Sequence, residues 1–153
     1  MLIDISLARR NQDQPYPFEQ ALSIPEMSVL GDPVTFSDAR IYGQFIGMGE
    51  TVAVRAAVEA RVTSRCALCL EPVETPISVE VDEVFAETPD SDHPDWYAFE
   101  GCMLDPFPMA REALILELPI RFLCGEGCRG LCPVCGGNLN TSSCSCQEGD
   151  RLR

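Results

Sequence analysis

A chain of 153 residues with 46% apolar content is long enough for one domain's worth of core and a small appendage. Its formal charge of −13, from 24 acids against 11 bases that are all arginine, repels polyphosphate over most of the surface and argues against broad nonspecific nucleic-acid binding. No apolar run approaches the roughly 18 residues of a membrane span, and the opening MLIDISLARR places acid ahead of any apolar stretch, unlike a secretory signal, so a cytoplasmic protein without a membrane partner is expected.

Leu2 to Leu7 alternate loosely and predict a first strand. The next segment, Asn11 to Pro33, carries Pro15, Pro17, Pro25 and Pro33 and reads as an extended connection with at most one helical turn around Phe18 to Leu22. A strand through Ile41, Gln44 and Ile46 is followed by a turn at Gly47 to Glu50. The clearest strand comes next: Val52, Val54, Ala56, Val58, Ala60 and Val62 share one parity, while Arg55, Glu59 and Arg61 share the other. A third strand passes through Ile77, Val79 and Val81, and Val84 beside Phe85 suggests a bulge. Thr88 to Gly101 combines turn formers with acids and predicts an exposed loop, anchored by Trp96 or Tyr97. Asp105 can then cap a helix with Pro106 at its first position, directing Ala110, Ala113, Leu114 and Leu118 to the sheet before Pro119 stops it. The pattern predicts an α+β protein: an antiparallel β-rich domain over residues 1–121 with one main helix near 106–118, and a cysteine-rich, zinc-binding segment over residues 122–153 packed on it.

Nine cysteines dominate the chemistry, because cytosolic thiols stay reduced and a cluster of them more often binds metal than forms disulfides. The tail CGEGCRGLCPVCGGNLNTSSCSC holds six: Cys124 and Cys128, the pair Cys132 and Cys135, then Cys144 and Cys146. The segment CPVCGG has the form of a zinc knuckle. Two intervening residues place both sulfurs on one side of a tight turn, and the glycines relieve the backbone where amides face thiolates. Cys144 and Cys146 complete its tetrahedron most simply. A second C-x2-C, Cys66 and Cys69, lies between two strands at a hairpin tip. It either pairs with Cys124 and Cys128 to hold a second zinc, or stands as a buried thiol pair if one of those cysteines completes the tail site instead. Cys102 is expected to be a packed thiol, and His93 to have no metal role.

Charge also separates two candidate partner surfaces. Glu71 to Glu112 contains twelve acids and one base, whereas Ala113 to Arg153 holds four of each. A basic protein would be steered to the acidic middle, with Trp96, Tyr97 and Phe99 as anchors; RNA would meet the neutral tail through Arg129. The overall negative charge favours the protein.

The motif CALCL, a helix ending ELP, then LC, CRGLCPVCGGNLN and a closing CSC resemble the YceD family of large ribosomal RNA subunit accumulation proteins. Carrying the likeness are Cys66, Cys69 and Leu70, Leu118 and Pro119, Cys124 and Cys128, the run Gly130 to Pro133, Cys135 and Gly136, and Asn138 to Asn140. Leu68 departs from it, since the family often has arginine there. Some members lack the tail cysteines, which implies that the tail metal site supports the fold more than it supplies chemistry. The resemblance implies a role in ribosome biogenesis that supports accumulation of large-subunit (23S) ribosomal RNA, with a ribosomal protein or large-subunit precursor as partner. Four-thiolate zinc has no open position for water, and no histidine stands next to a cysteine cluster, so a non-enzymatic factor without a small-molecule substrate is expected. Two other classes compete with it. A zinc hydrolase or deaminase would use Glu126, the one acid between Cys124 and Cys128, and a thiol oxidoreductase would use Cys66 and Cys69.

Overall fold

The computed structural model describes residues 2–29, 31–88 and 92–146. These form eight strands and two helices: β1 (Ile3–Asp4), α1 (Ser6–Arg10), β2 (Pro15–Ala21), β3 (Met27–Val29), β4 (Asp32–Met48), β5 (Thr51–Arg65), β6 (Pro72–Ala86), β7 (Tyr97–Glu100), β8 (Met103–Leu104) and α2 (Phe107–Leu116). The chain is thus mainly β, with α2 as its longer helix. Hydrogen-bonded neighbours follow the order β1-β8-β7-β6-β5-β4-β2, and β3 pairs with β4. Two compact units result, and neither is continuous in sequence. The first takes residues Met1–Ile24, Phe36–Arg61 and Pro76–Leu118; the second takes Pro25–Thr35, Val62–Thr75 and Pro119–Arg153.

In the first unit, β5 forms as its alternation dictates, with Val52, Val54, Ala56 and Val58 buried and Arg55 and Arg61 outward. Arg55 meets Asp82 at 3.0 Å and Arg40 meets Glu59 at 2.8 Å, so this face is laced by cross-strand ion pairs. The buried parity of β4 switches from Val34 to Ala39, Ile41 and Phe45, and Asp38 between them takes φ +50°, the left-handed conformation typical of a bulge. On β6, Phe85 keeps the same inward parity as Ile77 and Val81, so burial continues in register through the suggested bulge.

Three expectations change. The first strand stops at Asp4, because its Oδ1 accepts the Ser6 amide at 2.8 Å and so starts α1. The proline-rich connection contains β2, a full strand antiparallel to β4, with Pro15 opposite Ile46 and Pro17 opposite Gln44. Since β2 pairs only with β4 in the sheet order, its prolines do not have to donate on a second side. Tyr16 stacks on Phe45 with centroids 5.6 Å apart, which gives the strand its inward face. Finally, the acidic loop ends in β7, which runs parallel to β6 and antiparallel to β8.

Helix α2 starts where the sequence placed it. Asp105 Oδ1 accepts the Phe107 amide at 3.0 Å, and Pro106 has helical dihedrals (φ −79°, ψ −6°). Met109, Ala110 and Leu114 are buried, Met109 being the core residue that the spacing missed. The second unit gathers β3, the adjoining start of β4, the hairpin end Val62–Thr75 and the cysteine-rich tail. Its small core is Cys66, Cys69 and Val73, with Phe122, Cys128 and Leu131 packed on it. No helix among the described residues is long and apolar enough to cross a membrane.

Candidate metal centres

Cys66 begins a turn in which its own amide donates to the Glu71 carbonyl at 2.8 Å and its carbonyl accepts the Leu70 amide at 2.9 Å. Cys132 repeats this pattern. Its amide donates to the Gly137 carbonyl at 2.8 Å, and its carbonyl accepts the Gly136 amide at 2.9 Å. Two knuckles of one design therefore sit in the second unit. The position after the second cysteine is left-handed in both, φ +62° at Leu70 and φ +72° at Gly136. Glycine adopts that conformation freely, whereas an L side chain pays about 1–2 kcal/mol. Leu70 is 55% exposed and so loses little burial on removal. Leu70→Gly is therefore expected to raise the stability of the folded protein by roughly 0.5–1 kcal/mol after the added freedom of the unfolded glycine is subtracted. Thermal unfolding of the two proteins at equal zinc occupancy checks this; a lower midpoint for the variant would contradict it.

Each knuckle receives a second pair of thiols. Cys66, Cys69, Cys124 and Cys128 have sulfurs within 4.8 Å of one another, as do Cys132, Cys135, Cys144 and Cys146. The pairing is thus four and four. Cys66 and Cys128 sulfurs lie 3.8 Å apart, and those of Cys69 and Cys124 lie 3.6 Å apart. A tetrahedron of Zn–S bonds about 2.3 Å long has sulfur-to-sulfur edges of about 3.8 Å, whereas a disulfide needs about 2.05 Å. All nine cysteines are free thiols. The donor set and spacing fit zinc.

Local electrostatics reach the same conclusion. Burial opposes ionisation of Cys66, yet amides of Cys69, Leu68 and Cys124 bring its thiol down to about 6. Hydrogen bonding with the Cys128 and Cys69 thiols pushes Cys124 up to about 12. At the other centre, amides of Cys135 and Val134 lower Cys132 to about 6, while the neighbouring Cys135 raises Cys146 to about 12. Four sulfurs this close cannot all carry charge by themselves. A divalent cation removes that conflict and holds every thiol as thiolate.

Asparagines brace the first centre in a way that residue spacing did not reveal. Asn140 Nδ2 reaches Cys128 Sγ at 3.4 Å, and its Oδ1 accepts the Arg129 amide at 2.8 Å. Asn138 Oδ1 accepts the Asn140 amide at 3.0 Å, and Asn138 Nδ2 meets Glu71 at 3.2 Å. The Asn-x-Asn repeat was the available signal; its partners are visible only in three dimensions.

Other candidate residues lie apart from the thiols. Trp96 stacks flat on His93 at 3.9 Å, and Tyr97 stacks on Phe85 at 5.2 Å while its hydroxyl donates to Glu112 at 2.7 Å. Tyr97 is consequently engaged in packing, and Phe99 is buried in the core, so it does not serve as the expected surface anchor. Arg129 is exposed. Cys102 is exposed at a turn, contrary to the expected packed thiol, because the chain reverses there between β7 and β8, and it belongs to neither thiol cluster. Glu126 and His93 belong to neither cluster. Arg151, Arg153, Glu148, Asp150 and Asp90, which contribute to the charges of the two segments, lie outside the described residues.

The family model described as large ribosomal RNA subunit accumulation protein YceD matches residues 54–151, a span that holds both knuckles and both partner pairs. The chain belongs to the YceD family. Uncharacterized proteins of Mycobacterium tuberculosis and Mycobacterium bovis are each 35% identical to it over 96 residues, covering 58% of this chain and 45% of theirs. A maize protein named large ribosomal RNA subunit accumulation protein YCED homolog 1, chloroplastic, is 28% identical over 123 residues, covering 59% of this chain and 42% of its own. This YceD chain spans less than half the length of these curated relatives. No solved structure matches it.

Proposed function

We propose that this protein is a non-enzymatic ribosome-biogenesis factor that supports accumulation of large-subunit ribosomal RNA, with two structural zinc ions holding its second unit together. Family membership carries the reading, and the maize relative's name agrees with it. Neither thiol cluster includes a histidine or carboxylate among the described residues, and four thiolates leave no open position for water or substrate. That disfavours a hydrolase or deaminase. A redox role for Cys66 and Cys69 is disfavoured by their place in a hairpin turn, away from the helix N-terminus that usually activates such a pair. The acidic strands and loop of the first unit suit a basic ribosomal protein within an assembling subunit.

Purified protein is expected to carry two zinc ions per chain with sulfur-only ligation, measured by elemental analysis and X-ray absorption. Nitrogen or oxygen in the first coordination shell of either ion would contradict the all-thiolate assignment. Deleting the gene should lower large-subunit ribosomal RNA relative to small-subunit RNA, and the chain should restore it; unchanged RNA in the deletion strain would remove the functional reading.

A further inference from the structure

In the first unit Arg9, Arg40, Arg55 and Arg61 are ion-paired with Glu87, Glu59, Asp82 and Asp38, while Arg10 and Arg111 form no ion pair among the described residues. In the second, Arg65, Arg121 and Arg129 are all exposed, and among the described residues none of their side chains makes an ion pair or hydrogen bond. Arg65 and Arg121 wall one groove of about 190 Å³, together with Ser64, Asp32 and Ile120. The groove has a definite construction. Ala67 donates its amide to the Phe122 carbonyl at 2.8 Å, tying the segment that bears Arg121 to the end of the strand that bears Arg65.

We propose that this groove is a phosphate-contact site for single-stranded ribosomal RNA, an inference that rests on the proposed function and deepens it. Guanidinium presents a planar fork that matches phosphate oxygens, and two forks without intramolecular partners are free to take them. The volume falls below the roughly 300–1,000 Å³ of small-molecule sites, which suits a stretch of backbone crossing the groove. Ile120, 88% exposed at the rim, offers an apolar surface to a base or ribose. Asp32 in the same wall opposes phosphate and so limits affinity. The site complements the acidic first unit, since an assembling subunit presents both basic protein and RNA.

The test is fluorescence anisotropy with a fluorescein-labelled single-stranded RNA taken from the large-subunit sequence, titrated across salt concentrations. Arg65→Gln with Arg121→Gln should weaken binding at least tenfold and reduce the log–log salt slope by about 1.4, at about 0.7 per lost phosphate contact. Zinc content and circular dichroism of that variant should match the parent. Arg10→Gln with Arg111→Gln should leave both readouts unchanged, and Asp32→Asn should tighten binding. Absence of RNA binding by the parent, an unchanged slope in the double variant, or equal losses in both double variants would overturn the proposal. Preferential, Arg65- and Arg121-dependent binding of polyglutamate would overturn it in favour of an acidic peptide. Restoration of ribosomal RNA in the deletion strain keeps the two readings apart. If the parent restores it and the groove variant does so equally, the groove assignment falls while the proposed function stands.

Discussion

Replacing Cys66 by serine is expected to reduce bound zinc from two ions to one per chain and to unfold most of the second unit. Cys66 is fully buried in that unit's core, and its sulfur accepts the Cys124 amide at 3.4 Å. Losing it leaves three thiols around the first centre and separates the hairpin end from the segment at Pro119 to Cys128. Structural zinc in small metal-held folds contributes on the order of 10–16 kcal/mol of apparent binding energy, far above what a core of Cys66, Cys69 and Val73 can supply. Cys132→Ser should act more locally. If the cysteine-rich segment over residues 122–153 were a single unit, order would be lost from about Phe122 onward, but Cys124 and Cys128 belong to the other centre. Disorder is therefore expected over Leu131 to Cys146, with one zinc retained and the strands intact. Amide spectra and elemental analysis of both variants check this contrast. Two zinc ions in the Cys66 variant, or loss of all structure in the Cys132 variant, would show that the centres do not divide the work in this way.

A second large effect is expected at Gly43, in the middle of β4 opposite Phe18. A methyl group there would overlap the Arg55 carbonyl oxygen and lie 2.5 Å from Ala56 Cα, and neither backbone atom can swing aside. Gly43→Ala should cost roughly 3 kcal/mol or more through strand displacement. At about 2–4 °C per kcal/mol for a chain of this size, the unfolding midpoint should fall by about 6–12 °C. Gly49→Ala is the comparison. Gly49 has φ +66° with nothing within 4 Å of an added Cβ, so only the conformational cost of about 1–2 kcal/mol applies. Equal losses at the two sites would mean that strand proximity is not what Gly43 provides.

Legibility in the sequence followed the range of the interactions. β5 was visible because burial on one face imposes period two from Val52 to Val62, with the small Ala53 as the exception. The start of α2 was visible because Asp105 and Pro106 act on their immediate neighbours. Counting thiols gave Cys132, Cys135, Cys144 and Cys146 as the simplest tail set, but left Cys66 and Cys69 with two alternatives, because the assignment of Cys124 and Cys128 depends on contacts across the chain. What escaped depends on distant partners. β2 is a strand because β4 lies beside it and Phe45 accepts its aromatic face, while its own prolines argue for a loop. The glycine requirement at position 43 comes from Arg55 and Ala56, and the support from Asn140 comes from Cys128. Shared knuckle geometry was hidden because Leu70 occupies a position that its counterpart fills with glycine.

Residues that complete the first centre are far apart along the chain, 55 positions between Cys69 and Cys124 and 62 between Cys66 and Cys128. During synthesis at about 5–20 residues per second, the hairpin pair therefore emerges about 3–12 s before its partners exist. For that interval Cys66 and Cys69 are a two-thiolate half-site, able to hold a metal only weakly and open to exchange with whatever thiols or ions surround the nascent chain. The second centre has no such delay, since its four ligands span only Cys132 to Cys146 and emerge within about 1–3 s of one another at the same rate. The tail knuckle can thus load as soon as it is made, while closure of the hairpin site waits on the chain's own growth.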